Sequence, residues 1–201
     1  MAYGLSEFCA DCRTALSADA GPAGREEVRA ALERLIVDEG FLAQQFGDQA
    51  ADGMVEIFRD PEMGFVVLAY NMDAPRVSPP HDHGRSWAAY GQVAAHTDMT
   101  VWQRGDDARE AGHAKLTVAK QYRQNPGQAG LYQPGDIHSI DYPAGASAHE
   151  AGLGLGAAAA PMRLVARFPP SFDESWYEAE ARSCECESET FCSCCSCCSG
   201  E

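Results

Sequence analysis

The chain has 201 residues, 45% of them hydrophobic, which is enough for one sizeable core, and a formal charge of -15. With 30 acidic against 15 basic residues it lacks the cationic surplus that nucleic acid or an anionic membrane demands, which argues against both as partners. No stretch approaches the roughly eighteen apolar residues of a membrane span, and Met1 to Glu7 shows no basic segment followed by an apolar run, so a cytoplasmic location is expected.

Residues 5 to 48 carry helical periodicity. Leu5, Phe8 and Cys12 recur at helical spacing, and after Gly21-Pro22-Ala23-Gly24 a second stripe runs through Val28, Leu32, Leu35 and Ile36. Two helices joined by a turn are predicted. From about Gly53 the pattern changes to short runs rich in Val, Ile, Tyr and Trp, bounded by Gly, Pro, Asn and Asp. Strands are predicted at Met54 to Arg59, Phe65 to Met72, Ser86 to Val93, Met99 to Arg104, Lys115 to Tyr122, Gly130 to Gln133, His138 to Tyr142 and Met162 to Phe168. So many short strands without intervening helices imply a sandwich or barrel, most naturally a two-sheet jelly roll. The strand pattern stops after Phe168-Pro169-Pro170, and after Arg182 the composition collapses to Cys, Ser and Glu. The expected organisation is therefore helices over 1–50 packed on a barrel over 51–180, followed by a Cys-rich tail over 181–201.

Two histidine elements carry the chemistry. His81-Asp82-His83 follows Pro79-Pro80, and on an extended chain residues two apart share a face, so one metal ion can take both rings. Some fifty residues on, Gln133-Pro134-Gly135-Asp136-Ile137-His138 places a Pro-Gly turn just ahead of a third histidine. Strands distant in sequence point side chains into one barrel lumen, which makes His81, His83 and His138 the candidate ligands. Imidazole suits Fe, Zn, Cu and Ni alike, so the ligand set alone does not name the metal.

HDHG and PGDIH, in this order within an all-β pattern, resemble the two motifs of the cupins. A typical cupin supplies a glutamate four or five residues after the second histidine, where this chain has Trp87 and Ala88. The run from Pro79 to Gly91 is closer to the three-histidine bacterial thiol dioxygenases, the family of cysteine dioxygenase and 3-mercaptopropionate dioxygenase, and the resemblance runs from about Leu5 to Phe172. It implies a mainly β fold, the cupin double-stranded β-helix with two N-terminal helices, one Fe(II) per chain, and oxidation of a small thiol by O2 to a sulfinate. That family also uses a Ser-x-His-x-Tyr run. Ser147-Ala148-His149 supplies the first two members, and Ala151 stands where the tyrosine would be. Ser147 and His149 read equally well as relay residues or as an exposed loop pair beside Gly145. Arg76 or Arg85 is the candidate clamp for a substrate carboxylate, and each also reads as a solvated surface residue. His96 and His113 sit in polar surroundings and read as surface. Trp87 and Tyr90 read as barrel packing.

Seven of the nine cysteines, Cys184, Cys186, Cys192, Cys194, Cys195, Cys197 and Cys198, fall in the tail. Adjacent and alternating thiols cannot all pair as unstrained disulfides, but they suit soft cations such as Zn(II) or Cu(I). The tail also reads as a peptide substrate for modification, as a thiol source for the iron site in cis, or as a terminus without a role. Cys9 and Cys12 have redox spacing on a predicted helix, where packing is the expectation. Two functions stay open: the thiol dioxygenase, and a non-catalytic metal-binding cupin working through its tail.

Overall fold

A computed structural model describes residues 3–47, 53–71, 76–106, 114–142 and 162–168, with the backbone alone described at Arg76 and over 162–168. Three helices lead the chain: α1 (Leu5–Ala18), α2 (Pro22–Leu35) and α3 (Glu39–Phe46). The third is one more than the sequence predicts. Its start is set by Asp38, whose carboxylate accepts the Phe41 N–H at 2.9 Å and so caps a helix only eight residues long. Helix α2 opens on Pro22, whose missing N–H costs nothing at a first helical position.

Nine strands follow: β1 (Gly53–Arg59), β2 (Val66–Asn71), β3 (Arg76–Val77), β4 (Trp87–Ala94), β5 (Thr97–Arg104), β6 (Leu116–Gln124), β7 (Ala129–Tyr132), β8 (Ile137–Tyr142) and β9 (Met162–Phe168). Eight correspond to predicted strands with ends shifted by a residue or two, and β3 is added. They form a five-stranded sheet, β1-β2-β9-β4-β7, and a four-stranded sheet, β3-β8-β5-β6. The pairings are antiparallel and nested, β2 with β9, β3 with β8, β4 with β7 and β5 with β6. This is a jelly roll wound from a doubled-back ribbon, the double-stranded β-helix expected from the sequence.

Strands β2 and β4 of the five-stranded sheet are buried on both faces. Its inner residues Val66, Leu68, Ala88, Tyr90 and Tyr132 meet Met99, Ile140 and Tyr142 of the other sheet. Its outer residues Val67, Ala69, Trp87 and Ala89 pack on Phe8, Val28, Leu32, Leu35 and Phe41 of the helices. At Gly91 an added Cβ would stand 2.9 Å from Ile36 Cγ2 and 3.1 Å from Leu32 Cγ, so its missing side chain is what lets α2 approach β4.

Polar ties fix the helices to the barrel. Arg13 Nε donates to Asp60 at 2.7 Å, and that buried carboxylate also accepts the Glu62 and Met63 N–H groups. Glu33 accepts the Ala129 N–H of β7 at 3.0 Å. Cys9 and Cys12 are buried in the helical core, as the packing reading expects. Burial pushes the Cys9 thiol up to about 12 and raises Cys12 as well, which keeps both protonated and unreactive. No helix among the described residues is long and apolar enough to cross a membrane.

Candidate metal centre

The second motif is a type II turn. Asp136 N–H donates to Gln133 O at 3.0 Å, Pro134 occupies the position that wants a fixed φ, and Gly135 takes the following one at φ +80°. Asp136 also accepts the Gln133 N–H on its side chain at 2.7 Å. This turn delivers His138 at the start of β8, fully buried.

The first motif lies directly across. His81 and His138 form an isolated antiparallel bridge, exchanging N–H···O bonds of 2.9 Å in both directions. Opposed residues of such a pair project to the same side, and their ring centroids stand 4.5 Å apart. Beyond His81 the chain leaves the extended path that the sequence suggests for His83. Gly84 N–H donates to Asp82 Oδ1 at 2.7 Å and Ser86 N–H to His83 O at 2.9 Å, so His83 sits in a turn. Gly135 N–H donates to Gly84 O at 3.1 Å, which locks the two motif turns together.

The three predicted ligands therefore converge. The His83 ring lies 5.1 Å from His138 and 5.6 Å from His81, and one nitrogen from each histidine lies within 4.8 Å of the other two. Bonds of about 2.1 Å from one ion place its donors roughly 3 to 3.5 Å apart, a closure that small ring rotations supply. Two rings are already oriented. His81 Nδ1 lies 2.9 Å from Pro79 O and His138 Nδ1 3.3 Å from Asp136 O, contacts that turn the Nε2 atoms toward the shared space when the Nδ1 atoms carry the protons. Asp82 and Asp136 spend carboxylate oxygens on their turns, and among the described His, Cys, Asp and Glu side chains the cluster is formed by these three imidazoles. The residues fit a divalent transition metal of the kind imidazole favours.

Tyrosines surround the three histidines, and one of them adds a polar contact to the packing that the sequence predicts. Tyr90 is not mere packing, since its hydroxyl lies 2.9 Å from His83 Nε2 and its ring 5.7 Å from that of His138. Tyr132 stacks on His138 at 3.9 Å and 25°, and its hydroxyl meets that of Tyr122 at 2.7 Å. Trp87 does pack, on the helix side, with the Arg25 guanidinium 5.5 Å from its ring centroid. Arg25 Nη1 also donates to Gln133 at 2.6 Å, tying α2 to the turn that carries His138.

Of the other expected substrate-binding and catalytic residues, Arg85 alone has a described side chain. Arg85 is exposed on the turn beyond His83. Arg76 pairs with Tyr142 through its backbone in β3, and its side chain lies outside the described residues. Ser147, His149, His113 and the seven tail cysteines also lie outside the described residues. His96 is half-buried rather than a surface residue.

No protein-family model matches the chain, and no curated protein matches it. Solved structures similar to it include KdgF from Halomonas sp., with 13% identity over 58% of this chain and 78% of that one and a TM-score of 0.35. Another is the cupin domain of Cnp3 from Schizosaccharomyces pombe, with 12% identity over 64% of this chain and 69% of that one and a TM-score of 0.36. A third is an RmlC-like cupin protein from Desulfovibrio desulfuricans, with 11% identity over 58% of this chain and 80% of that one and a TM-score of 0.34.

Proposed function

We propose that the chain is a non-haem Fe(II) dioxygenase that oxidises a small thiol, of the cysteine or 3-mercaptopropionate class, to a sulfinate with O2. The observation that carries this reading is the convergence of His81, His83 and His138, a cluster that no described carboxylate or thiol joins. His81, His83 and His138 would hold iron(II), which would supply a place for a thiolate and dioxygen to meet and the electron density that oxygen activation needs.

The protein groups have separable tasks. The backbone oxygens of Pro79 and Asp136 hold the tautomers and tilts of His81 and His138. Tyr132, flat against His138, keeps that ring from turning and seals the inner side from water. His81 and His83 are half-buried, so substrate arrives on their side while His138 anchors the floor. Arg85, exposed beside His83, receives the carboxylate of an entering thiol acid, with Arg76 the alternative clamp. Ser147 and His149 are assigned to the oxygen side on the family resemblance. The small thiol and O2 are the partners in this reading, in the cytoplasm, with no nucleic acid or membrane involved.

The test is direct. The protein is loaded anaerobically with Fe(II) and offered cysteine, 3-mercaptopropionate, cysteamine and mercaptosuccinate, with O2 uptake and sulfinate formation followed together. Coupled uptake and sulfinate with one of these thiols is expected. Stoichiometric iron without uptake on any thiol refutes the dioxygenase and leaves a metal-holding protein.

A further inference from the structure

We propose that Tyr90 is the fourth protein donor of the metal centre, its Oη binding the same ion as His81, His83 and His138; this rests on the metal reading above. Parity along β4 gives the first argument. Ala88 and Tyr90 face the inner core while Trp87 and Ala89 face the helices. Ala88 brings only a methyl group. Tyr90 is thus the first inward residue of β4 with a donor atom, and its side chain is long enough to reach back to His83.

Distance gives the second. Tyr90 Oη lies 2.9 Å from His83 Nε2. Two donors bound at right angles to one ion, each about 2.1 Å from it, stand about 3.0 Å apart. The pair already has the separation of neighbouring ligands, so His83 and Tyr90 need no rearrangement relative to each other to share an ion. The Tyr90 ring also stands 5.7 Å from that of His138 at 64°, which places the side chain among the same group of rings.

Charge gives the third. Three imidazoles bring no negative charge, and the adjacent carboxylates of Asp82 and Asp136 are engaged by backbone N–H groups. A divalent ion beside the fully buried His138 gains most from one anionic donor in that low-dielectric surrounding. Tyr90 supplies it as the phenolate. Binding is acid–base chemistry alone: an oxygen lone pair forms the bond to the ion, the O–H proton leaves to solvent, and nothing is oxidised or reduced.

The experiment reads the phenolate directly, without turnover. Full-length protein is loaded with one equivalent of Fe(II), oxidised with ferricyanide, and examined by visible absorption and resonance Raman. Wild type is expected to show a charge-transfer band that enhances phenolate ring modes, distinct from the iron–sulfur modes that tail thiolates would give. Tyr132→Phe keeps those modes, and Tyr90→Phe loses them while still holding stoichiometric iron. Wild-type protein with bound iron and no phenolate modes, or modes that persist in Tyr90→Phe, overturns the assignment of Tyr90 alone. His138→Ala that holds iron as tightly as wild type, with the same spectrum, overturns the three-histidine centre and the Tyr90 proposal with it.

Discussion

Replacing His138 with alanine separates the metal-binding task of this residue from its packing task. The ring is fully buried, stacked on Tyr132 at 3.9 Å and bridged by its backbone to His81. Truncation leaves a void where the imidazole stood and is expected to cost about 2 to 4 kcal/mol without metal, by analogy with large-to-small core changes. Metal adds a second effect, because an ion that binds only the folded state stabilises it by mass action. At a hundredfold excess over Kd the gain is about 2.7 kcal/mol, which for a chain of this size raises Tm by roughly 5 to 11 °C at about 2 to 4 °C per kcal/mol. A hundredfold loss of affinity on removing one histidine ligand brings the same Fe(II) concentration down to Kd. The gain then falls to about 0.4 kcal/mol, a rise of under about 2 °C. Calorimetry of both proteins with and without anaerobic Fe(II) measures the two effects separately. Both carry the same nine cysteines, so the difference between their metal-induced shifts belongs to the histidine site. An equal rise in His138→Ala and wild type would refute the ligand assignment.

Three further outcomes follow from the packing. Gly91→Val drives new atoms into Ile36 and Leu32, already 2.9 and 3.1 Å from an ideal Cβ, and is expected to cost about 1 to 3 kcal/mol; an unchanged urea midpoint would contradict the close approach of α2. Arg25→Ala removes the bond to Gln133 and the guanidinium beside Trp87, loosening the His138 turn, and is expected to weaken metal binding up to about tenfold in a chelator competition. Equal affinity would show that the turn holds itself. The Cys9 thiol lies above its ordinary value in the fold, so its protonated form contributes stability that is complete below pH 9.0 and is lost as pH rises toward about 12. The urea midpoint of wild type should therefore fall more steeply over that window than that of Cys9→Ala, and parallel curves would count against buried, protonated packing.

What the sequence reveals and conceals has one physical origin. Periodicity finds α1 and α2 because each turns a single apolar stripe inward, and it finds the strands because turn residues bracket them. It misses α3, where a short apolar run beyond Asp38 carries Phe41 and Phe46 into the core without a long stripe. It also misses β3, whose two residues are too few to show alternation. The harder loss is Tyr90. Along Trp87-Ala88-Ala89-Tyr90 every residue is buried, because one face meets the helices and the other meets the second sheet. A strand covered on both sides has no polar face from which to read parity. Trp87 and Tyr90 look alike in sequence, yet one packs on a helix and the other touches a histidine.

The positions of the three histidines follow from the nested pairing and from an irregularity where the β3–β8 ladder runs on to His81 and His138. In the β3–β8 ladder Arg76 opposes Tyr142 and Val77 opposes Asp141, and Ser78 continues it by donating its N–H to Ile140 O at 2.8 Å. The next opposed pair is His81 with His138. Three residue steps on one side thus face two on the other, and the surplus residue falls at Pro79-Pro80. Neither proline has an N–H to give the ladder, which is why the irregularity sits there. Ser78 compensates, its hydroxyl accepting the Ile140 N–H at 2.9 Å. The prolines also leave the Pro79 carbonyl beside His81 Nδ1. One local break in the ladder therefore returns His81 to register with His138 and orients its ring, and the turn that follows swings His83 over both.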